Sequence, residues 1–288
     1  MDLPYTRIKG GVCAAREFLG SAISCGIKNP KSDRLDLSLI YSKIGCLSAG
    51  MFTQTRVKAA PVRVSQSHLR AESLRAIITN SGNANACTGP TGMQDAKNMA
   101  KETSKLLGLR QREVGVCSTG VIGLPMPMIR IEPKYEGLVA GLGPKNGNDV
   151  ARSIITSDTH EKEFAISFEL HGKRVRIGGC AKGAGMIHPN MATMLCFITT
   201  DANIGKRGLK EAIENSVENT FNRITIDGDT STNDRASVRQ GRRLRQCHSI
   251  KRIKNGHRLQ LRTRSSSGIR TIVGRRSRTP QHPGESDR

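Results

Sequence analysis

Long hydrophobic stretches are missing from this sequence. No run of about 18 apolar residues occurs anywhere in its 288 residues, and this excludes a membrane-spanning helix. No charged segment followed by an apolar core opens the chain, so the sequence gives no indication of secretion. Tryptophan is absent, and the eight cysteines are too dispersed for a disulfide scaffold. We therefore expect a cytoplasmic protein with reduced thiols.

The common signatures of metal and nucleotide chemistry are missing as well. No CxxC pair occurs, and the cysteines have no metal-ligand spacing, so we expect buried structural thiols and no metal site. The sequence also lacks a GxxxxGKS/T phosphate loop, a GxSxG nucleophile elbow and an HExxH pair. These absences exclude three large enzyme classes: P-loop nucleotide enzymes, hydrolases with the serine elbow, and HExxH zinc proteases.

Acidic residues are scarce, and their shortage is concentrated in one part of the chain. The formal net charge is +22, with 46 basic and 24 acidic residues. Residues 235–288 hold 14 Arg and 2 Lys against Glu285 and Asp287, and they contain no aromatic residue. Such a segment cannot bury enough apolar surface to offset its ordering entropy, so we expect an Arg/Ser-rich, disordered tail.

Apolar periodicity in residues 1–234 predicts a mixture of strands and helices. The patterns indicate strands at residues 36–41, 76–79, 114–117 and 193–199, a hairpin over residues 164–177, and helices over residues 93–107 and 209–217. Gly108 follows the first helix as its expected C-cap. Because no regular βαβ rhythm connects these elements, the sequence favours an α/β (α+β) layered sandwich over a doubly wound sheet.

Three glycine-bearing segments follow strand-like runs and are candidates for chemistry. They are residues 80–89 (NSGNANACTG), 117–123 (CSTGVIG) and 178–195 (GGCAKGAGMIHPNMATML). Turns of this kind can present backbone N–H groups to an oxyanion, although ordinary structural turns have the same composition. Thr193 follows the small Ala192 at the head of a predicted strand. This placement would suit an N-terminal nucleophile released by self-cleavage, or simply a structural threonine.

Residues 182–195 (KGAGMIHPNMATML) resemble the self-cleavage and nucleophile signature of a known family. It is the bifunctional ornithine acetyltransferase / N-acetylglutamate synthase family of arginine biosynthesis. Other blocks resemble the same family in the same order: residues 56–62 (RVKAAPV), 79–86 (TNSGNANA), 118–123 (STGVIG), 155–159 (ITSDT) and 221–234 (FNRITIDGDTSTND). The resemblance extends from about Gly10 to Asp234.

The resemblance implies a fold and a processing event. The fold is the layered helix–sheet sandwich of the ornithine acetyltransferase type, which is self-cleaving and N-terminal-nucleophile-like. By position, cleavage falls between Ala192 and Thr193. It yields an α chain of residues 1–192 and a β chain whose family-like start is residues 193–234.

The resemblance also implies an activity and residue roles. Thr193 is the catalytic nucleophile, Thr119 and Gly120 form the oxyanion hole, and Thr156, Lys182 and Thr193 bind substrate. The enzyme is a glutamate N-acetyltransferase that moves an acetyl group from N-acetylornithine to glutamate through an acetyl-threonine. No cofactor is implied, and acetyl-CoA is an alternative acetyl donor in many members. The expected assembly is a heterotetramer of two α and two β chains.

The family-like character ends at Asp234. Family members continue with apolar strands and helices that include a substrate-binding Glu and a C-terminal Asn with a Ser or Thr. The Arg-Ser-Gln-Pro bias of residues 235–288 resembles out-of-frame translation of a GC-rich gene. We therefore hypothesise a frameshift near codon 235, which resequencing of that stretch tests. The acetyltransferase activity implied by the resemblance is expected of a chain whose C-terminal part is also family-like, which residues 235–288 are not.

Two other functions fit parts of the sequence. The basic tail has the charge needed to bind nucleic acid through its phosphates, although it lacks stacking aromatic residues and any RNA-binding signature. A related self-processing aminopeptidase would also use a released nucleophile, but the blocks around Asn80 and Thr193 favour the acetyltransferase.

Overall fold

Two β-sheets and six α-helices make up the part of the chain that the structure, a computed structural model, describes. The described residues are 4–71, 73–185, 194–227 and 231–233, together with the backbone of 235–241. The strands are β1 (Tyr5–Arg7), β2 (Phe18–Ile23), β3 (Leu37–Ser42), β4 (Cys46–Phe52), β5 (Ala76–Asn83), β6 (Val114–Val121), β7 (Lys162–Leu170), β8 (Lys173–Lys182), β9 (Leu195–Thr200) and β10 (Arg235–Gly241). The helices are α1 (Ala60–Ala71), α2 (Gly89–Leu107), α3 (Met128–Ile131), α4 (Tyr135–Ala140), α5 (Gly147–Ile154) and α6 (Lys206–Asn219).

The two sheets have different compositions. The four-stranded sheet has the order β2-β3-β5-β6, in which only β5 and β6 run parallel. The six-stranded sheet has the order β1-β7-β8-β9-β10-β4, in which only β9 and β10 run parallel. Within the described residues, none of the helices is long and apolar enough to cross a bilayer.

Successive residues of one strand point to opposite faces of the sheet and belong to different cores, so each sheet packs against a layer on either side. Ile78 of β5 packs with α2 and α4 on the outer face of the four-stranded sheet, whereas Ile77 points to the opposite face. There it joins α5 and the inner face of the six-stranded sheet, including Phe197 of β9. Cys196, also in β9, packs on the outer face against α6. The order is therefore helices, sheet, sheet, helix, and the predicted layered sandwich is confirmed.

Most of the predicted elements are present, and several are longer than predicted. The helix that was predicted over residues 93–107 is α2, and Gly108 ends it in the left-handed conformation with φ +62°. The predicted hairpin is β7 and β8, turned by His171 and Gly172, which both have positive φ. The strand that was predicted to begin at Thr193 is described from Leu195 onward.

The first residues of the predicted tail form a strand. β10 pairs antiparallel with β4 and parallel with β9, so it lies inside the six-stranded sheet. The expectation of disorder is therefore wrong for residues 235–241. Backbone hydrogen bonds on both sides hold this segment, whatever the polarity of its side chains. Residues 242–288 lie outside the described residues.

The cysteines largely follow the expectation of buried thiols. Six of the seven cysteines in the described part of the chain are buried, whereas Cys87 is exposed and Cys247 lies outside that part. Burial raises the pKa of the Cys196 thiol to about 12. A thiol with this pKa stays protonated at neutral pH and is a poor nucleophile.

Thr103 in α2 offers a test of the packing. Its side chain is 1% exposed, and its hydroxyl has no hydrogen-bond partner among the described residues. Thr103→Val removes this unsatisfied group and keeps the shape, so we expect the free energy of unfolding to rise by about 1 kcal/mol. Urea unfolding measures it, and a loss of stability would show that the hydroxyl has a partner.

Candidate active site

Thr119 and Gly120 lie near the carboxyl end of β6, beside the end of the parallel strand β5. Thr119 is opposite Ser81, and Gly120 is opposite Gly82, where a bulge interrupts the ladder. Thr119 is 6% exposed, and its hydroxyl has no hydrogen-bond partner among the described residues. A hydroxyl at a sheet edge that bonds no described residue is available to a ligand oxygen.

Only glycine fits at position 120. Its φ is +136°, and a Cβ there would lie 2.3 Å from the carbonyl carbon of Gly82 and 2.5 Å from the Asn83 nitrogen. Both contacts are with backbone, so they cannot be relieved by turning a side chain. A substitution of Gly120 would therefore displace β5, and it cannot test an oxyanion role cleanly.

Amide side chains hold the loops around this edge. Asn80 donates from Nδ2 to the Asn83 carbonyl at 2.8 Å and accepts from the Ser118 hydroxyl at 2.6 Å. Asn233 donates from Nδ2 to the carbonyls of Ala84 at 2.6 Å and Ser118 at 3.0 Å. Ser118, the residue before Thr119, is thus hydrogen-bonded through both its side chain and its carbonyl, and these bonds fix the position of Thr119.

Thr156 and Lys182, which sequence analysis assigned to substrate binding, are in contact. Thr156 follows α5, and Lys182 is the last residue of β8. The Lys182 Nζ donates to the Thr156 Oγ1 at 3.2 Å, and the lysine is 5% exposed. A buried ammonium next to a hydroxyl is suited to a carboxylate ligand, because the cation supplies charge and both groups donate hydrogen bonds.

Asp158 organises this pair. Its fully buried carboxylate forms an ion pair with Lys162 and accepts the Gly183 N–H at 2.9 Å and the Thr156 N–H at 3.3 Å. Burial alone would raise the pKa of Asp158, but hydrogen bonds from Lys162 and Gly183 and the charges of Lys162 and Lys182 lower it below its usual value. The carboxylate is therefore ionised at neutral pH and ties the Thr156 loop to the end of β8.

We expect Asp158→Asn to destabilise the fold. The substitution leaves the Lys162 cation, which is 7% exposed, without its counter-charge, at a cost of about 3 kcal/mol in urea unfolding at pH 7. The lowered pKa means that Asp158 contributes stability above its unfolded pKa of about 3.9 and loses it as pH falls through the folded pKa. The difference between the unaltered protein and the variant should therefore shrink below about pH 4.

Asp149→Asn is the matched control for this measurement. Asp149 pairs with Arg152 at 3.9 Å, and both side chains are about half exposed. An exposed pair of this kind contributes less than about 1 kcal/mol. Equal losses from the two Asp→Asn changes would contradict the organising role of Asp158.

Hydrogen bonds connect the Thr119 and Lys182 regions. The Ser81 hydroxyl, on the residue opposite Thr119, donates to the Ser153 carbonyl at 2.6 Å near the end of α5. Three residues later is Thr156, which accepts from Lys182. The structure thus joins the oxyanion-hole candidates to the substrate-binding candidates through one end of α5.

The proposed cleavage residues, Ala192 and Thr193, lie outside the described residues. The nearest described residues on either side are Gly185 and Met194. Leu195, two positions after Thr193, is paired with Lys182 across β8 and β9. The chain therefore re-enters the described structure beside Lys182.

Sequence reasoning gave no role to Asp158 or Asn233, although both lie in blocks that it singled out. Asp158 and Lys162 are four residues apart, a spacing that predicts a pair when both residues lie on a helix. No helical pattern surrounds them, so the sequence offers no reason to pair them. The Asn233 contacts span 115 and 149 residues, and no local signal carries that information.

A model of the ArgJ family matches residues 20–255, which includes β10 and continues past Asp234. The chain is similar to the arginine biosynthesis bifunctional protein ArgJ of Symbiobacterium thermophilum, with 46% identity over 80% of this chain and 58% of that protein. The corresponding protein of Dehalococcoides mccartyi is 46% identical over 78% of this chain and 55% of its own length. The chain thus spans a little over half the length of these curated relatives.

Two solved structures share the fold. The ArgJ protein of Bacillus halodurans has 36% identity and a TM-score of 0.61, with 67% of this chain matching 100% of that chain. The ornithine acetyltransferase of Mycobacterium tuberculosis, solved in complex with ornithine, has 33% identity and a TM-score of 0.57 at the same coverage. These matches confirm both the fold class and the resemblance found in the sequence. The chain belongs to the ArgJ family.

Proposed function

We propose that this chain carries the core of an acetyltransferase of arginine biosynthesis. It transfers an acetyl group from N-acetylornithine to glutamate and so yields ornithine and N-acetylglutamate. The observation that carries the proposal is the contact between Lys182 and Thr156, joined through α5 to the buried Thr119, in a member of the ArgJ family. The relative from M. tuberculosis was solved with ornithine bound, which supports an amino acid as the ligand.

Thr193 is the proposed nucleophile, and it acts first on its own chain. Its hydroxyl attacks the Ala192 carbonyl carbon, the peptide C–N bond breaks, and an ester forms. Water then hydrolyses the ester, which leaves the Ala192 carboxylate and a free Thr193 amine. The whole chain of each solved relative matches 67% of this chain. Residues 1–192 make up the same two-thirds of its 288 residues. A separate polypeptide of this size is what the proposed cut produces.

Acetyl transfer then uses the same hydroxyl. The Thr193 amine, with a pKa near about 8, takes the hydroxyl proton as the oxygen attacks the acetyl carbonyl of N-acetylornithine. Thr119 and Gly120 stabilise the oxyanion, and the proton passes to the departing ornithine amine. In the second half of the reaction the glutamate amine attacks the acetyl carbonyl carbon of acetyl-Thr193, the ester C–O bond breaks, and the glutamate amine's proton passes through the Thr193 amine to the released Thr193 oxygen. Lys182 and Thr156 hold the substrate carboxylate.

Further features of the proposal concern the donor, the assembly and the compartment. The chain's own side chains supply the groups for these steps, so we propose no cofactor, with acetyl-CoA as an alternative acetyl donor. The assembly is a heterotetramer of two α and two β chains, in the reducing cytoplasm. The buried free thiols of the described residues suit such a compartment. The matches support neither the nucleic-acid-binding alternative nor the aminopeptidase.

The direct test combines mass spectrometry with an activity assay. A completed protein joins residues 1–234 to the C-terminal part of the S. thermophilum relative, because the chain itself spans only part of that relative. We expect two polypeptides, the second beginning at Thr193, and one acetyl group on that residue after brief exposure to N-acetylornithine. Isotope-labelled glutamate should become N-acetylglutamate. Cleavage at another bond, or acetylation elsewhere, would contradict the proposal.

A further inference from the structure

A cavity lies at the opposite end of β8 from Lys182. Its volume is about 680 Å³, and it is lined by residues 8–10 and 13–19 together with Arg174 and Arg176 of β8. Arg176 and Lys182 are six positions apart in β8, a distance of about 20 Å along an extended strand. Cavities of this size hold small-molecule ligands. The cavity is therefore separate from the candidate active site.

Positive charge dominates the lining. Six cationic side chains contribute to it, whereas Glu17 is its one acidic residue. The cations are Lys9, Arg16, Lys43, Lys145, Arg174 and Arg176. Like charges that line one cavity repel each other, and a bound anion relieves the repulsion.

Most of this charge is not neutralised by the protein. Arg16 is held by Asp201 at 2.7 Å, and Asp201 also accepts the backbone N–H of Arg176. Within the described ranges, four lining cations have no side-chain hydrogen bond or ion pair: Lys9, Lys43, Lys145 and Arg174. Elsewhere, exposed cations such as Arg207 and Lys210 pair with a glutamate one helical turn away. What distinguishes this cavity is that several such cations share one lining.

The cavity also has an apolar wall. Ile8 and Leu19, which are half-buried, and the exposed Pro144 line it. A bare inorganic anion would use only the cationic groups. A ligand that combines an apolar ring with phosphate groups would use both parts, because guanidinium and ammonium groups bind phosphate oxygens.

We propose that this cavity binds a small organic diphosphate of the nucleoside diphosphate class. The phosphates lie against Lys9, Lys145 and Arg174, and the organic ring packs on the wall of Ile8, Leu19 and Pro144. The site is independent of acetyl transfer at Thr193, so the proposed function can fail without affecting it.

Calorimetry with ADP on the full chain, in about 0.15 M salt to screen non-specific contacts, tests the proposal. We expect saturable binding of one ADP per chain and no binding of adenosine, which lacks the phosphates. Lys9→Gln combined with Lys145→Gln should weaken ADP binding at least tenfold. ADP should also slow hydrogen exchange in residues 8–19.

The matched control removes the same charge elsewhere. Lys101→Gln combined with Lys105→Gln changes two exposed lysines of α2 and should alter ADP affinity less than twofold. Equal weakening by the two double variants would show binding to overall positive charge, which the 16 basic residues of positions 235–288 could supply. That result, unchanged affinity in the Lys9/Lys145 variant, or adenosine binding as tight as ADP binding would overturn the proposal.

Discussion

Thr193→Ala in the completed protein should leave one uncut polypeptide without acetyltransferase activity. In the proposed mechanism the same hydroxyl attacks the Ala192 carbonyl before cleavage and carries the acetyl group afterwards, so its removal should abolish both events. We expect a single band in a denaturing gel and acetyl transfer reduced by at least about a thousandfold, because no covalent route remains. The assay follows N-acetylglutamate from N-acetylornithine and labelled glutamate.

Thr193→Ser separates the chemistry from the fold. It retains a hydroxyl, so it should still cut and turn over, although more slowly. The Ala variant should have the same unfolding midpoint as an uncut Ser sample, which excludes misfolding as the cause. Cutting of the Ala variant at the same bond, or transfer at the unaltered rate, would exclude Thr193 as the nucleophile.

Thr119→Val in the same protein should lower kcat by about a hundredfold or more. The valine keeps the volume of the buried side chain but removes the hydroxyl that we assign to the oxyanion hole, and loss of one such donor costs about 3 kcal/mol. We expect kcat to fall more than KM changes, because the donor acts on the transition state. Steady-state kinetics with N-acetylornithine measures both parameters.

Thr103→Val is the control for that experiment. It makes the same chemical change at a buried threonine of α2, on the outer side of the four-stranded sheet. Its kcat should equal that of the unaltered protein. A fall in kcat of similar size in both variants would attribute the Thr119 effect to packing and would remove Thr119 from the oxyanion hole.

Local pattern accounts for much of the fold. The apolar spacing in α2 and the left-handed glycine after it are read directly from neighbouring residues, and both are present. The turn at His171 and Gly172 also depends only on adjacent residues. The family-like blocks predict four site residues: Thr119, Gly120, Thr156 and Lys182. In the structure, Thr156 and Lys182 are in contact.

Non-local pairing accounts for what the sequence did not reveal. β10 has a polar sequence, and its place depends on backbone hydrogen bonds to β4, about 185 residues earlier, where Met51 faces Ala236. The division of Ile77 and Ile78 between two cores requires knowledge of both sheets. The Asp158 carboxylate is also bonded by Gly183, which lies 25 residues further along the chain.

The order of the six-stranded sheet determines what the proposed cut leaves behind. β9 and β10 follow Thr193, whereas β8 and β4, which flank them in the sheet, precede it. The second polypeptide is therefore hydrogen-bonded to the first along both of its edges, and α6 covers residues of both. Hydrolysis of one peptide bond creates two new chain ends without creating a separable subunit. After full denaturation, however, reassembly becomes a bimolecular reaction whose rate depends on protein concentration.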